Sequence, residues 1–146
     1  MKKGIIGAII TIFVVGCVAG ISLLTFASNS NPFEAPTVIR CTCYTDAGTT
    51  ASGQQTRPGI IAGKPEWMGC AAALYDVKED GSIGDFIGYY EVLDTGAGID
   101  TDGDGLGDSI INGQSIDVWL PDDAAVSEWQ REHKDYVYIL LIPGVG

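Results

Sequence analysis

From Thr37 onward, apolar and polar positions alternate with a period of two, interrupted at short intervals by turn-forming clusters. Successive side chains of a strand point to opposite faces, so this period predicts strands with one buried face. Thr37 to Tyr44 alternates in this way, and Gly59-Ile60-Ile61-Ala62 is a short strand. Met68 to Val77 is a continuous apolar run with a tyrosine, the pattern of a buried strand. Ile83 to Leu93 is a further strand, aromatic at Phe86, Tyr89 and Tyr90, and Ser115 to Leu120 and Asp135 to Ile142 complete the set. Asp46 to Pro58, rich in Gly, Thr and Ser, is a long loop; Lys78 to Ser82 and Asn112-Gly113 are turns. Pro121-Asp122-Asp123 opens a helix whose Asp residues suit its N-terminal dipole and whose inner face is Ala125, Val126 and Trp129. Short strands, one helix and no βαβ rhythm predict a small, mainly β barrel.

The first 36 residues follow another pattern. Lys2 and Lys3 precede an apolar stretch, Gly4 to Ala27. As a helix it would span ~36 Å at ~1.5 Å per residue, enough for a bilayer core. Three readings stay open: a retained transmembrane anchor, a signal peptide cleaved after Thr25-Phe26-Ala27, and a lipoprotein processed at Val14-Val15-Gly16-Cys17. Positive charge ahead of the span sends the remainder outward. Residues 1–27 are therefore a signal peptide or anchor, 28–36 a polar stalk, and 37–146 an extracytoplasmic domain, membrane-anchored or secreted.

Charge narrows the partners. The chain has eight Lys and Arg against nineteen Asp and Glu. Without Lys2 and Lys3 the exported part keeps six cations against nineteen acids, a net charge near −13. Such a surface excludes nucleic acid, which needs a basic footprint, and suits a domain that holds cations. Cys41 and Cys43 share one face of a strand and are poorly placed to bond each other. In an oxidising compartment, Cys70 is expected to pair with Cys41 or Cys43. A zinc site is disfavoured, since paired C-x-x-C knuckles are absent and His133 is the single histidine.

Two acidic features carry candidate chemistry. Asp94-Thr95-Gly96 follows the strand residues Glu91-Val92-Leu93, and Asp117 sits within Ser115-Ile116-Asp117-Val118-Trp119. Carboxylates at the ends of neighbouring strands perturb each other's pKa, which makes a carboxylic acid useful near neutral pH. Asp-Thr-Gly after an apolar strand also occurs in retroviral-type aspartic proteases, but no glycine-rich flap hairpin accompanies it here. The plainest alternative is a strand-end turn in which Asp94 only bonds backbone.

A wider order of motifs is more specific. Cys43-Tyr44-Thr45 is followed by Thr50-Ala51-Ser52-Gly53, Pro58-Gly59-Ile60-Ile61-Ala62, Trp67-Met68-Gly69, Asp94-Thr95-Gly96, Asn112 to Trp119, and Asp135-Tyr136-Val137-Tyr138-Ile139. This order resembles the 3D (three-aspartate) domain, found in cell-wall proteins, stationary-phase survival hydrolases and the membrane-bound lytic transglycosylase A family. The resemblance covers roughly 37–143 and implies a six-stranded double-psi β-barrel. It further implies cleavage of peptidoglycan at the β-1,4 bond between N-acetylmuramic acid and N-acetylglucosamine. Asp117 then matches the family's general acid/base, and Asp94 matches the Asp of its Asp-Thr-Gly motif, near enough to raise the Asp117 pKa. Apart from the resemblance, Thr50 and Ser52 either order their loop or hydrogen-bond a substrate acetamido group, and Trp67, on a loop, is a candidate to stack on a sugar. The family's remaining aspartate has no counterpart in Ile61 to Gly69, where Glu66 is the nearest substitute. A non-catalytic wall- or glycan-binding module is therefore the competing function.

Between the two aspartates lies Asp100-Thr101-Asp102-Gly103-Asp104-Gly105-Leu106-Gly107-Asp108, an acidic insertion over 99–109. It resembles thrombospondin type 3 and EF-hand calcium loops, with Asp100, Asp102, Asp104 and Asp108 as carboxylate ligands and Leu106 as a carbonyl ligand. Ile111 stands where the bidentate glutamate would be, so a weak structural Ca²⁺ site is expected. Trp119 and Trp129 read as core or barrel-rim aromatics, and His133 as a partner for the carbonyls at the helix end.

Overall fold

The computed structural model describes residues 35–144. The hydrophobic helix expected over Gly4 to Ala27, and nearly all of the stalk, lie outside them. Among the described residues, no helix is long and apolar enough to cross a membrane.

Among the described residues, six strands form in chain order: β1 (Thr37–Tyr44), β2 (Ile60–Ala62), β3 (Ala71–Val77), β4 (Ile83–Asp94), β5 (Ser115–Trp119) and β6 (Tyr136–Ile142). The helix α1 (Asp123–Glu132) crosses from β5 to β6, and Pro65–Trp67 is a single 3-10 turn. The sequence pattern placed each strand to within a few residues. The largest difference is at β3: Met68 to Cys70 belong to the turn before the strand, where Gly69 has a φ of 84°.

The strands make one mixed sheet in the order β1-β5-β2-β4-β3-β6, and β6 returns to β1, so the ring closes. Two neighbouring pairs are parallel, β1 with β5 and β2 with β4; the other four are antiparallel. Exchanging the first three strands with the last three reproduces the same ring and the same directions, so the topology has an internal twofold. Its axis runs between β2 and β5. The loop after β1 and the loop after β4 are equivalent under this exchange and lie over the same part of the sheet.

Closure leaves no long edge to template aggregation and gives every strand an inward face. Ile39 and Cys41 of β1, Ile61 of β2, Ala72 and Leu74 of β3, Val92 of β4, Ile116 and Val118 of β5, and Val137, Ile139 and Leu141 of β6 form one buried cluster. Burying each of its larger aliphatics contributes roughly 1.5–3 kcal/mol. Asp122 caps α1 by accepting from the Ala125 N–H at 2.9 Å, and Trp129 packs against the cluster. Outside the barrel wall, Ile60, Leu93 and Trp119 form a second buried group with Tyr44 against it. This outer group lies beneath the two equivalent loops and supports the candidate site.

Candidate functional site

Asp94 and Asp117 meet around one small residue. Ala62 of β2 is the register partner of Asp94 on β4 and of Asp117 on β5. Strands lie ~4.8 Å apart, so the two aspartate backbones flank Ala62 at a separation of about 10 Å. The β2–β4 register shifts between Ile61 and Ala62. Such a bulge inserts one extra residue and re-aims the side chain beyond it, here Asp94. Ala62 lines the same cleft as the two acids. Both aspartates line a cleft of about 330 Å³, walled by Asp46 to Thr49 and Thr56 on one side and Thr95 to Gly98 with Ile110 on the other.

The two carboxylates differ in environment. Asp117 is half-buried, and burial raises its pKa, opposed by a short hydrogen bond from the Thr42 hydroxyl, its register partner on β1. Asp94 is not the cause of that shift, as had been expected; desolvation is. Asp94 is instead fully engaged as an acceptor. Its Oδ1 accepts from the N–H of Ala51 at 2.9 Å and of Thr95 at 2.9 Å, and its Oδ2 accepts from the Tyr44 hydroxyl at 3.0 Å. Asp94 thereby ties both equivalent loops and the end of β1 together. The Tyr44 phenol is driven far upward by burial, by its bond to Asp94 and by the charges of Asp94, Asp117 and Asp46, so it remains a donor.

A third carboxylate does line the cleft, but it is Asp46. Glu66 is exposed and pairs with Lys64 at 3.5 Å. Asp46 follows the end of β1, as Asp94 ends β4, and no spacing in the linear chain relates them. Its carbonyl accepts from Trp119 Nε1 at 3.0 Å, which fixes the loop. Tyr44 and Thr42 were likewise not identified as site residues from sequence; their signal was only their outward position on an alternating strand.

The expected substrate-binding residues are placed elsewhere. Thr50 is buried, and its hydroxyl bonds Ser52 Oγ at 2.9 Å and the Gln54 carbonyl at 3.0 Å. Together with the Ser52 N–H on the Leu93 carbonyl at 3.1 Å, these bonds dock the loop so that the Ala51 N–H reaches Asp94. Trp67 does not line the cleft: it packs against the core, its ring against Gly63 and Gly113, where a Cβ would come within 3.2 Å and 3.3 Å. Thr50 and Ser52 therefore order the loop that carries Ala51, and Trp67 is a packing residue.

The acidic insertion is a chain of tight turns. Asp100 accepts from the N–H groups of Gly103 at 2.6 Å and Gly105 at 2.9 Å, which hold its pKa below the usual range. One oxygen from each of Asp100, Asp102 and Asp104 lies within 4.8 Å of the others. Asp108 is turned away, accepting from Thr101 at 2.6 Å and from Asn112 at 3.2 Å. The base of the insertion is stapled by buried Ser109, whose Oγ accepts from the Ile99 N–H at 2.9 Å and bonds Ser115 Oγ at 2.7 Å.

Cys41, Cys43 and Cys70 are free thiols, so the bridge expected from Cys70 is not formed in this structure. β1 and β3 are not neighbours; β6 lies between them. Burial also raises both β1 thiols, Cys41 strongly and Cys43 to about 11, which suppresses the thiolate that oxidation needs. His133 does not cap α1 with its ring. It stacks on Trp129 with centroids 4.4 Å apart and meets Asp76 at 2.8 Å.

Comparisons with known proteins add little to this geometry. No protein-family model matches the chain, and no curated protein matches it. Among solved structures, the chain is similar to a Streptomyces papain inhibitor, with 16% identity, a TM-score of 0.48, and coverage of 77% of this chain and 98% of that one.

Proposed function

We propose that the cleft cleaves peptidoglycan glycan strands by a lytic-transglycosylase mechanism on a double-psi β-barrel. The observation that carries this reading is a half-buried acid of raised pKa, Asp117, opening into a cleft opposite a firmly held carboxylate, Asp94. Protonated Asp117 gives its proton to the oxygen joining N-acetylmuramic acid to N-acetylglucosamine as the C–O bond breaks. Asp94 faces the positive charge that develops on the muramoyl ring; its three donors hold it in place. Asp117, now a base, removes the proton of the muramoyl 6-hydroxyl, and that oxygen closes a 1,6-anhydro ring without water. The internal twofold of the ring and its two parallel pairs support the double-psi assignment.

We further propose that the acidic insertion holds a structural Ca²⁺ through Asp100, Asp102 and Asp104. Leu106 and Asp108 complete the shell once Asp108 leaves Thr101 and Asn112. Residues 1–27 keep the domain at the outer face of the membrane or are removed on export.

The displacement of Glu66 from the cleft favours a second reading, a non-catalytic glycan-binding module. Mass spectrometry of purified peptidoglycan incubated with the protein decides between them. Anhydro-muropeptides are the expected products. Reducing ends would instead indicate a hydrolase, and sedimentation with the wall without products a binder.

A further inference from the structure

Asp117 stands between two lobes, not at the end of one. Beyond it, a second hollow of about 310 Å³ is lined by Arg40, Thr42, Cys43, Gly98, Ile99, Ser109, Ser115 and Asp117. Arg40 and Thr42 are alternate residues of β1, opposite Ser115 and Asp117 on β5, so the guanidinium's strand position lies ~7 Å from that of Thr42 on the same outer face. The two lobes differ in charge: the first carries Asp46 and Asp94 and no cation, whereas Arg40 is the one cation lining the second.

Two buried side-chain atoms among the described residues lack a hydrogen-bond partner, Arg40 Nε and Thr95 Oγ1. Thr95 lines the first lobe and Arg40 the second; Arg40 also borders a neighbouring hollow with Trp129, Gln130 and Asp135. A buried donor left unpaired is costly, and such groups in a cleft mark where a ligand supplies the missing partner. Arg40 forms none of the ion pairs seen among the described residues. Nor is it Asp117's partner: that carboxyl is held by Thr42.

We infer that Arg40 recognises a carboxylate of the substrate and thereby sets which sugar lies on which side of Asp117. This rests on the glycan reading above and deepens it. A guanidinium offers parallel N–H groups matched to a carboxylate's two oxygens. Asp46 and Asp94 repel the same group from the first lobe, which takes a neutral sugar with polar substituents for Thr95. Peptidoglycan offers two carboxylate sources, the lactyl ether of its acidic sugar and the stem peptide.

The test is calorimetric titration of the full chain carrying Asp117→Asn, which prevents turnover, with and without Arg40→Gln. The ligands are a neutral N-acetylglucosamine tetramer, an alternating tetramer bearing lactyl carboxylates without peptide, and a free stem peptide. The expected result is about tenfold tighter binding of the lactyl tetramer than of the neutral one, lost in Arg40→Gln while neutral binding is unchanged. Arg40-dependent binding of the stem peptide alone would support the carboxylate site and assign its source to the peptide. If that occurs with no glycan bound, the site stands and the glycan reading falls. Glycan binding indifferent to Arg40 overturns the inference and leaves the glycan reading intact, and no binding of any ligand overturns both.

Discussion

Removing the Tyr44 hydroxyl tests whether the site is held together as the geometry requires. Tyr44→Phe keeps the ring that packs beside Ile60, Leu93 and Trp119 and deletes only the 3.0 Å bond to Asp94 Oδ2. A hydrogen bond to a charged acceptor contributes a net ~1.5–3 kcal/mol when buried. Tyr44 is half-buried, and Asp94 retains the Ala51 and Thr95 N–H groups, so water replaces part of the loss. That leaves about 1 kcal/mol, which for a domain of this size lowers the melting temperature by roughly 4–8 °C. Scanning calorimetry at pH 7 measures the drop, and a cycle with Asp94→Ala isolates the pair. The tyrosine substitution should cost much less once Asp94 is gone, with a coupling of at least about 0.5 kcal/mol. An equal loss in both backgrounds would show that the bond contributes nothing and that Asp94 is not anchored through β1.

Five further outcomes are expected. Asp117→Asn should lower anhydro-muropeptide release by roughly 10²–10⁴-fold, because the amide keeps the Thr42 contact but has no proton to deliver. The same variant should be more stable than wild type at pH 7: a folded pKa raised by burial means stability is lost as pH rises through it, and a neutral amide removes that loss; a lower melting temperature at pH 7 would refute the burial argument. Calcium at millimolar concentration should raise the melting temperature, and Asp102→Ala should abolish the effect, which thermal scans with calcium and with chelator compare. The three thiols of the barrel should resist labelling in the native state and react after denaturation; with Cys43 raised from 9.0 to about 11, its contribution to stability should fall away between those pH values. Gly98→Ala should destabilise by about 1–3 kcal/mol in urea titrations, since φ is 76° and the new methyl would collide with Ser109 Oγ, the staple of the insertion.

The linear chain determined the elements. A two-residue period needs only local backbone geometry to put Ile39 and Cys41 on one face and Arg40 and Thr42 on the other, so strands and core followed from pattern alone. The helix opening at Asp122-Asp123 was legible for the same reason, its capping bond to Ala125 spanning only a few residues. The site was legible in part: Asp94 and Asp117 stood out, and the register does bring them to one cleft. Their partners were not. Thr42 reaches Asp117 because β1 pairs with β5, Tyr44 reaches Asp94 because the ring brings the ends of β1 and β4 together, and Asp46 enters because the loop after β1 is the twofold counterpart of the loop after β4. Likewise, Glu66, Thr50, Ser52 and Trp67 lie near site residues in sequence yet face other strands or loops. These relations depend on which strands neighbour one another around a closed ring. Many pairings satisfy the same alternation of apolar and polar residues, and only the packing of the whole barrel selects one.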